Sequence, residues 1–193
     1  MINLIKKHIK EHLEIISLID NDLLDDIYKF SQIMIQALKD KKTLFWCGNG
    51  GSCSDSQHLS AELIGRFNGE RRALRSISLT SDSTALTCIS NDYKFDKIFS
   101  RQIEALGNRG DLLIAISTSG KSQNILNALD QANNQGLTTL SLLGKGGGDA
   151  VSKSKHSVVV PSLVTARIQE AHILVGHILC DLIEEGLELK QVK

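Results

Sequence analysis

At 193 residues the chain is long enough to bury a core without disulfide or metal staples. Twenty-two lysines and arginines balance 22 aspartates and glutamates, and 4% of residues are aromatic, which speaks against nucleic acid as a partner and leaves little for base stacking. No apolar run reaches the length of a membrane span, and residues 1–10 lack the apolar core and cleavage site of a signal peptide.

Residues 1–40 have helical periodicity. Ile2, Ile5, Ile9, Leu13, Ile16 and Ile19 form one apolar stripe, and Leu23, Ile27, Phe30, Met34 and Leu38 form a second. Asp20-Asn21-Asp22 separates them and supplies a cap. The stripes must lie over a sheet or pair with a copy of themselves, while His8 and His12 read as solvated. Residues 44–47 (LFWC) suit a buried parallel strand. Gly48-Asn49-Gly50-Gly51-Ser52 follows, a turn lean enough for a ligand to approach the backbone, with Ser52 or Ser54 as cap of the next helix. That helix carries His58 and Glu62 at i, i+4, a spacing common to surface pairs, metal sites and proton-transfer pairs.

The basic stretch 69–75, with Arg71, Arg72 and Arg75, reads as a solvated loop or a phosphate contact. A short strand at 76–79, a capped helix at 84–89, a polar turn at Asn91-Asp92 and a helix over 95–106 come next. Residues 111–117 (DLLIAIS) are the strongest strand, ending in Thr118-Ser119-Gly120-Lys121-Ser122 and a helix over 123–135. Hydroxyls and backbone N–H groups at a helix start favour phosphate, and the absence of GxxxxGK[ST] disfavours nucleotide hydrolysis. After a strand at 138–143, the glycine loop 144–149 reads as a turn, followed by a strand at 156–160 and a long helix over 166–185. That helix carries Gln169, His172 and His177 as polar insertions, and spacing alone does not choose a ligand among them.

Alternating strands and helices imply an α/β doubly wound parallel sheet of about five strands, helices on both faces and an N-terminal helical pair. No linker or repeat divides the chain, so 1–193 reads as one domain, with helices over 1–40 and an α/β core over 43–193. Cys47, Cys53, Cys88 and Cys180 form no CxxC pair and read as reduced thiols of a cytoplasmic protein.

Three motifs in order, GNGGS…QH…AE…GRF over 48–67, AISTSGKS over 115–122 and ARIQEAHILVGH over 166–177, resemble the phosphoheptose isomerase family of the SIS fold. The resemblance implies isomerisation of sedoheptulose 7-phosphate to D-glycero-D-manno-heptose 7-phosphate through an enediol, supplying heptose for lipopolysaccharide or capsule. It implies sugar contacts from Asn49, Gly50, Gly51, Asn91 and Asp92, and phosphate contacts from Ser117, Thr118, Ser119 and Ser122. His58, Glu62, Gln169 and His177 correspond to the family's zinc site, one ion per subunit, with Glu62 and Gln169 also touching substrate. Glu62 and His177 correspond to the acid/base pair, in a homotetramer whose sites form between subunits. A non-catalytic SIS-domain regulator that binds a replication initiator is the alternative; it lacks the glutamate and second histidine found here as Glu62 and His177.

Overall fold

A computed structural model describes residues 1–189; the single-domain reading of 1–193 therefore extends over residues 190–193, which lie outside the described ones. Two helices lead the chain, α1 (Ile2–Ser17) and α2 (Asn21–Lys39), and Asp20 caps the second by accepting the Leu23 N–H at 3.0 Å. Five strands follow: β1 (Leu44–Gly48), β2 (Ser76–Ser78), β3 (Leu112–Ser117), β4 (Thr138–Leu143) and β5 (His156–Val159). They form one parallel sheet in the order β2-β1-β3-β4-β5, the doubly wound arrangement that the strand–helix alternation predicts.

Side-chain alternation along β1 explains why its sequence is apolar throughout. Leu44 and Trp46 enter a core with Phe30, Met34, Leu59, Leu63, Val175 and Leu179; Phe45 and Cys47 enter another with Ile103, Ile125 and Leu129. Thus α2, α3 (Gly51–Ile64) and α8 (Thr165–Gly186) cover one face, and α5 (Ser100–Leu106) and α6 (Gln123–Gln135) cover the other. The remaining helices are α4 (Ser83–Asp92) and α7 (Ala150–Lys153). Among the described residues no helix is long and apolar enough to cross a membrane.

Helix α1 lies outside this layer against α8. His12 Nδ1 meets Glu170 Oε2 at 2.8 Å, and Arg167 donates to the His8 carbonyl at 2.8 Å and to Glu170 Oε1. His12 therefore faces α8 rather than being simply solvated, while His8 is exposed, with Nδ1 3.4 Å from Arg167 Nη1. Ile2, Ile5, Ile9 and Leu13 stay exposed in the single chain, whereas Ile15 and Ile16 pack against Ile168 and Ala171.

In the basic stretch after α3, Arg72 and Arg75 are exposed, whereas Arg71 is neither solvated nor free for a phosphate. The side chains of Arg71 and Glu184 are both buried and meet at 2.6 Å. Arg71 also donates to the carbonyls of Glu62 at 2.7 Å and Leu63 at 3.0 Å, satisfying the C-terminal end of α3. Glu184 accepts the Phe67 and Asn68 N–H groups at 3.0 and 3.1 Å, which closes the loop. Asn91 and Asp92 form the last turn of α4 rather than a separate turn. The helix read over 95–106 is split into a 3-10 turn, Phe95–Lys97, and α5; the Asp96 carbonyl is bonded to Asn127 Nδ2 at 2.9 Å.

Candidate functional site

In a 2-1-3-4-5 sheet the crevice opens at the carboxyl ends of β1 and β3, where the winding direction reverses. Gly48 is in register with Ile116, so Asn49, just past β1, and Ser117, the last residue of β3, stand at one level. A cleft of about 270 Å³ opens there, lined by Asn49, Gly50, Gly51, Ser117, Thr118, Ser119, Ser122 and Gln169, together with Ser52, Ile116 and Thr165.

Three helices begin at this cleft. Helix α3 starts at Gly51 behind Gly50, which takes φ 57° and so replaces the side-chain cap expected from Ser52 or Ser54. Helix α6 starts behind Ser122, whose side chain makes no cap bond, and α8 starts at Thr165. First-turn N–H groups lack intrahelical partners, and each helix places partial positive charge at this end, so the cleft is suited to an anion. Thr165 is a lining residue that the sequence reading missed; placing the helix start at 166 left it one residue outside.

The Ser117–Ser122 loop is shaped from within and from behind. Ser117 Oγ accepts the Gly120 N–H at 3.0 Å, which leaves its own O–H to donate, and Ser119 Oγ accepts the Lys121 N–H at 3.3 Å. The glycine loop 144–149, the third along the chain, packs behind it: the Gly120 carbonyl accepts the Ala150 N–H at 3.0 Å. A Cβ on Gly120, which sits at φ 62°, would lie 1.8 Å from the Gly147 carbonyl oxygen. Gly120→Ala is therefore expected to lower stability by more than the ~1–3 kcal/mol of backbone strain alone and to weaken inorganic phosphate binding. Gly146→Ala, with φ 75° but nothing near the added carbon, should show the strain alone; thermal denaturation and phosphate titration of both variants make the comparison.

From the cleft, α3 and α8 run side by side and bring three more predicted residues together. His58 Nε2 is 2.9 Å from His177 Nε2 and 3.4 Å from Glu62 Oε1, and one donor atom from each residue lies within 4.8 Å of the others. Phe67 stacks on the His177 ring at 5.4 Å between centroids. Two imidazoles and a carboxylate are a donor set that catalytic zinc sites use, so these residues fit a divalent cation. Asp55 lies one turn before His58; burial raises its carboxyl above the ordinary value, with His58 opposing.

The three polar insertions of α8 separate into different surroundings. His172 is fully buried, with Nε2 3.0 Å from the Leu143 carbonyl, and burial pushes its imidazole down to about 4 against the pull of that bond. It is a core residue. His177 joins the triad. Gln169 stands in the cleft, close enough that a Cβ on Gly51 would lie 2.2 Å from its Nε2. The eight residues from Gln169 to His177 place their backbones about 12 Å apart along the helix.

The structure does not bring Asn91 and Asp92 to this cleft within one chain. Both are exposed, Asn91 bonded to Asp92 and Asp92 to the Cys88 thiol, and Asp92 lines a separate groove with Tyr93 and Arg101.

Comparison with known proteins places the chain among sugar-phosphate enzymes. The SIS domain family matches residues 7–144. Phosphoheptose isomerase of a Nitratiruptor species is 49% identical over 186 residues, covering 96% of this chain and 100% of that protein. Phosphoheptose isomerase 1 of Campylobacter jejuni is 50% identical, with the same coverage. Among solved structures, phosphoheptose isomerase GmhA from Neisseria gonorrhoeae superposes with a TM-score of 0.90 at 37% identity, covering 95% of this chain and 98% of that one. A phosphoheptose isomerase from Francisella tularensis gives 0.92 at 34% identity, with the same coverage.

Proposed function

The chain belongs to the phosphoheptose isomerase family of SIS-domain proteins, and we propose that its cleft and triad form the two ends of one isomerase site. The reaction is conversion of sedoheptulose 7-phosphate to D-glycero-D-manno-heptose 7-phosphate. The observation that carries this reading is that α3 and α8 both run from the cleft, which suits an anion, to the triad, which suits acid/base chemistry. An open-chain sugar phosphate has the same two-ended form, a phosphate at one terminus and a carbonyl at the other.

Ser117, Thr118, Ser119 and Ser122 hold the phosphate with hydroxyls and backbone N–H groups, fixing the far end of the chain so that its binding energy serves orientation. Asn49, Gly50, Gly51 and Gln169 line the sugar's path. At the reacting end a base removes the proton from one carbon, an acid serves the adjacent oxygen, and the enediol collapses in the other direction. Glu62 is the carbon base and His177 the proton carrier at oxygen. His58, Glu62 and His177 would hold the divalent cation, zinc in this reading and one per subunit, with Gln169 as a further ligand. Such a cation supplies polarisation of the sugar oxygens. A carboxylate committed to a cation is a weak carbon base, so Glu62 serves one role at a time.

Asn91 and Asp92 belong to the site of a neighbouring copy in a homotetramer. The exposed stripe of Ile2, Ile5, Ile9 and Leu13 supports association. The protein works as one SIS domain in the cytoplasm, supplying heptose for lipopolysaccharide or capsule. Incubating purified protein with sedoheptulose 7-phosphate should yield the aldose heptose 7-phosphate, and a strong chelator should suppress the yield. Absence of product with added zinc would overturn the assignment; full activity in chelator would remove the cation from it.

A further inference from the structure

Asn124, the second residue of α6, is 2% exposed, and its helical neighbours Ile125, Leu126, Ala128 and Leu129 are buried and apolar. Its amide faces that of Asn49 in a reciprocal pair. Asn124 Nδ2 donates to Asn49 Oδ1 at 2.8 Å, and Asn49 Nδ2 donates to Asn124 Oδ1 at 2.9 Å. Asn49 lines the cleft and Asn124 is not among the residues lining it.

The pairing has two physical consequences. A buried amide is costly unless it is hydrogen-bonded, and among the described residues the side chain of Asn124 is bonded to Asn49 alone, donating one bond and accepting one. An apolar side chain would suit that stretch of core better, so the amide serves Asn49 rather than packing. Asn49 in turn sits between Gly48 and Gly50, where the backbone offers little rigidity, its carbonyl held by the Ser52 N–H at 3.1 Å. Each primary amide has two N–H groups and two lone pairs. After pairing, Asn49 retains one of each, in a fixed plane, to present to a ligand.

We propose that Asn124 is a positioning residue that locks the Asn49 amide and ties it to the phosphate-holding start of α6. It touches no substrate and acts only through Asn49. Phosphate bound at the first turn of α6 lies on the same turn that carries Asn124, so the two ends of the cleft share one support and occupancy of one end is felt at the other. This rests on the isomerase reading above and deepens it.

A double-mutant cycle on the purified full-length protein tests it. Asn124→Leu, close in volume and apolar, preserves packing, and Asn124→Ala serves as a second variant. With sedoheptulose 7-phosphate, Asn124→Leu should lower kcat about 10- to 100-fold, with KM little changed because the phosphate grip is intact. In an Asn49→Ala background the same change should cost nothing further. Equal losses in both backgrounds, or wild-type kcat in Asn124→Leu, would overturn the proposal. The side-chain amide signals of Asn49, followed by NMR during titration with inorganic phosphate, give a readout independent of turnover. They should shift in the wild type and lose that response in Asn124→Leu; an unaltered response overturns the coupling. Inactivity of the wild-type protein would count against the isomerase reading, while the amide response still decides the role of Asn124.

Discussion

Replacing Glu62 by glutamine should reduce kcat for sedoheptulose 7-phosphate by about 10²- to 10⁴-fold, the range that removal of a positioned acid or base produces. The substitution preserves volume and hydrogen-bonding capacity at a half-buried position but leaves an amide that cannot take a proton from carbon. Helix α3 is anchored at both ends independently of this side chain, by the Gly50 turn and by Arg71 on the Glu62 and Leu63 carbonyls. Folding and association should therefore be unchanged, as thermal denaturation and light scattering would establish. His177→Ala should behave alike in turnover. A near-wild-type rate in either variant would remove that residue from the mechanism.

The largest structural effect is expected from Arg71→Leu. Removal of Arg71 leaves the Glu184 carboxylate buried beside two backbone N–H groups with no cation, a loss of about 3–5 kcal/mol. For a chain of this length that lowers Tm by roughly 10 °C. The loss should depend on pH. In the wild type burial pushes the Glu184 carboxyl up, but Arg71 and the Phe67 and Asn68 amides outweigh it and hold the group below its ordinary 4.5. A carboxyl depressed in the folded state contributes stability that is present above its unfolded value and lost as pH falls through the folded one. In the variant only the Phe67 and Asn68 amides oppose burial, so the protonated form is favoured more than in the wild type. The stability gap should thus be full at neutral pH and narrow below about pH 4.5, which denaturant titrations at pH 7 and pH 4 would measure. A constant gap would assign the loss to packing.

Fold and site were legible to different degrees, for physical reasons. Strands buried on both faces must be apolar at every position, so LFWC and LLIAIS announce themselves, and the alternation with helices then restricts the topology. The two polar loops were legible because strand, small residues and helix start are contiguous in sequence. The divergence of Gln169, His172 and His177 was not, because the packing of α8 decides which of its polar side chains meets the core, the cleft or the triad. Arg71 was indistinguishable from Arg72 and Arg75 because its partner, Glu184, is more than a hundred residues away. Asn124 looked like any polar residue in the first turn of a helix; only the tertiary meeting of two loops gives it a partner.

The third glycine loop places a limit on how this fold can acquire new substrates. The Gly147 carbonyl occupies the space that a side chain at 120 would need, and a Cβ on Gly148 would in turn lie 2.5 Å from the Ser119 carbonyl oxygen. Neither loop can gain a side chain at the contact without displacing the other's backbone. Diversification among relatives recognising other phosphorylated sugars should therefore fall on the opposite wall, around Thr165 and Gln169, while positions 120, 147 and 148 change together or stay glycine. A saturation library over these five sites, selected for turnover of alternative sugar phosphates, would reveal that division.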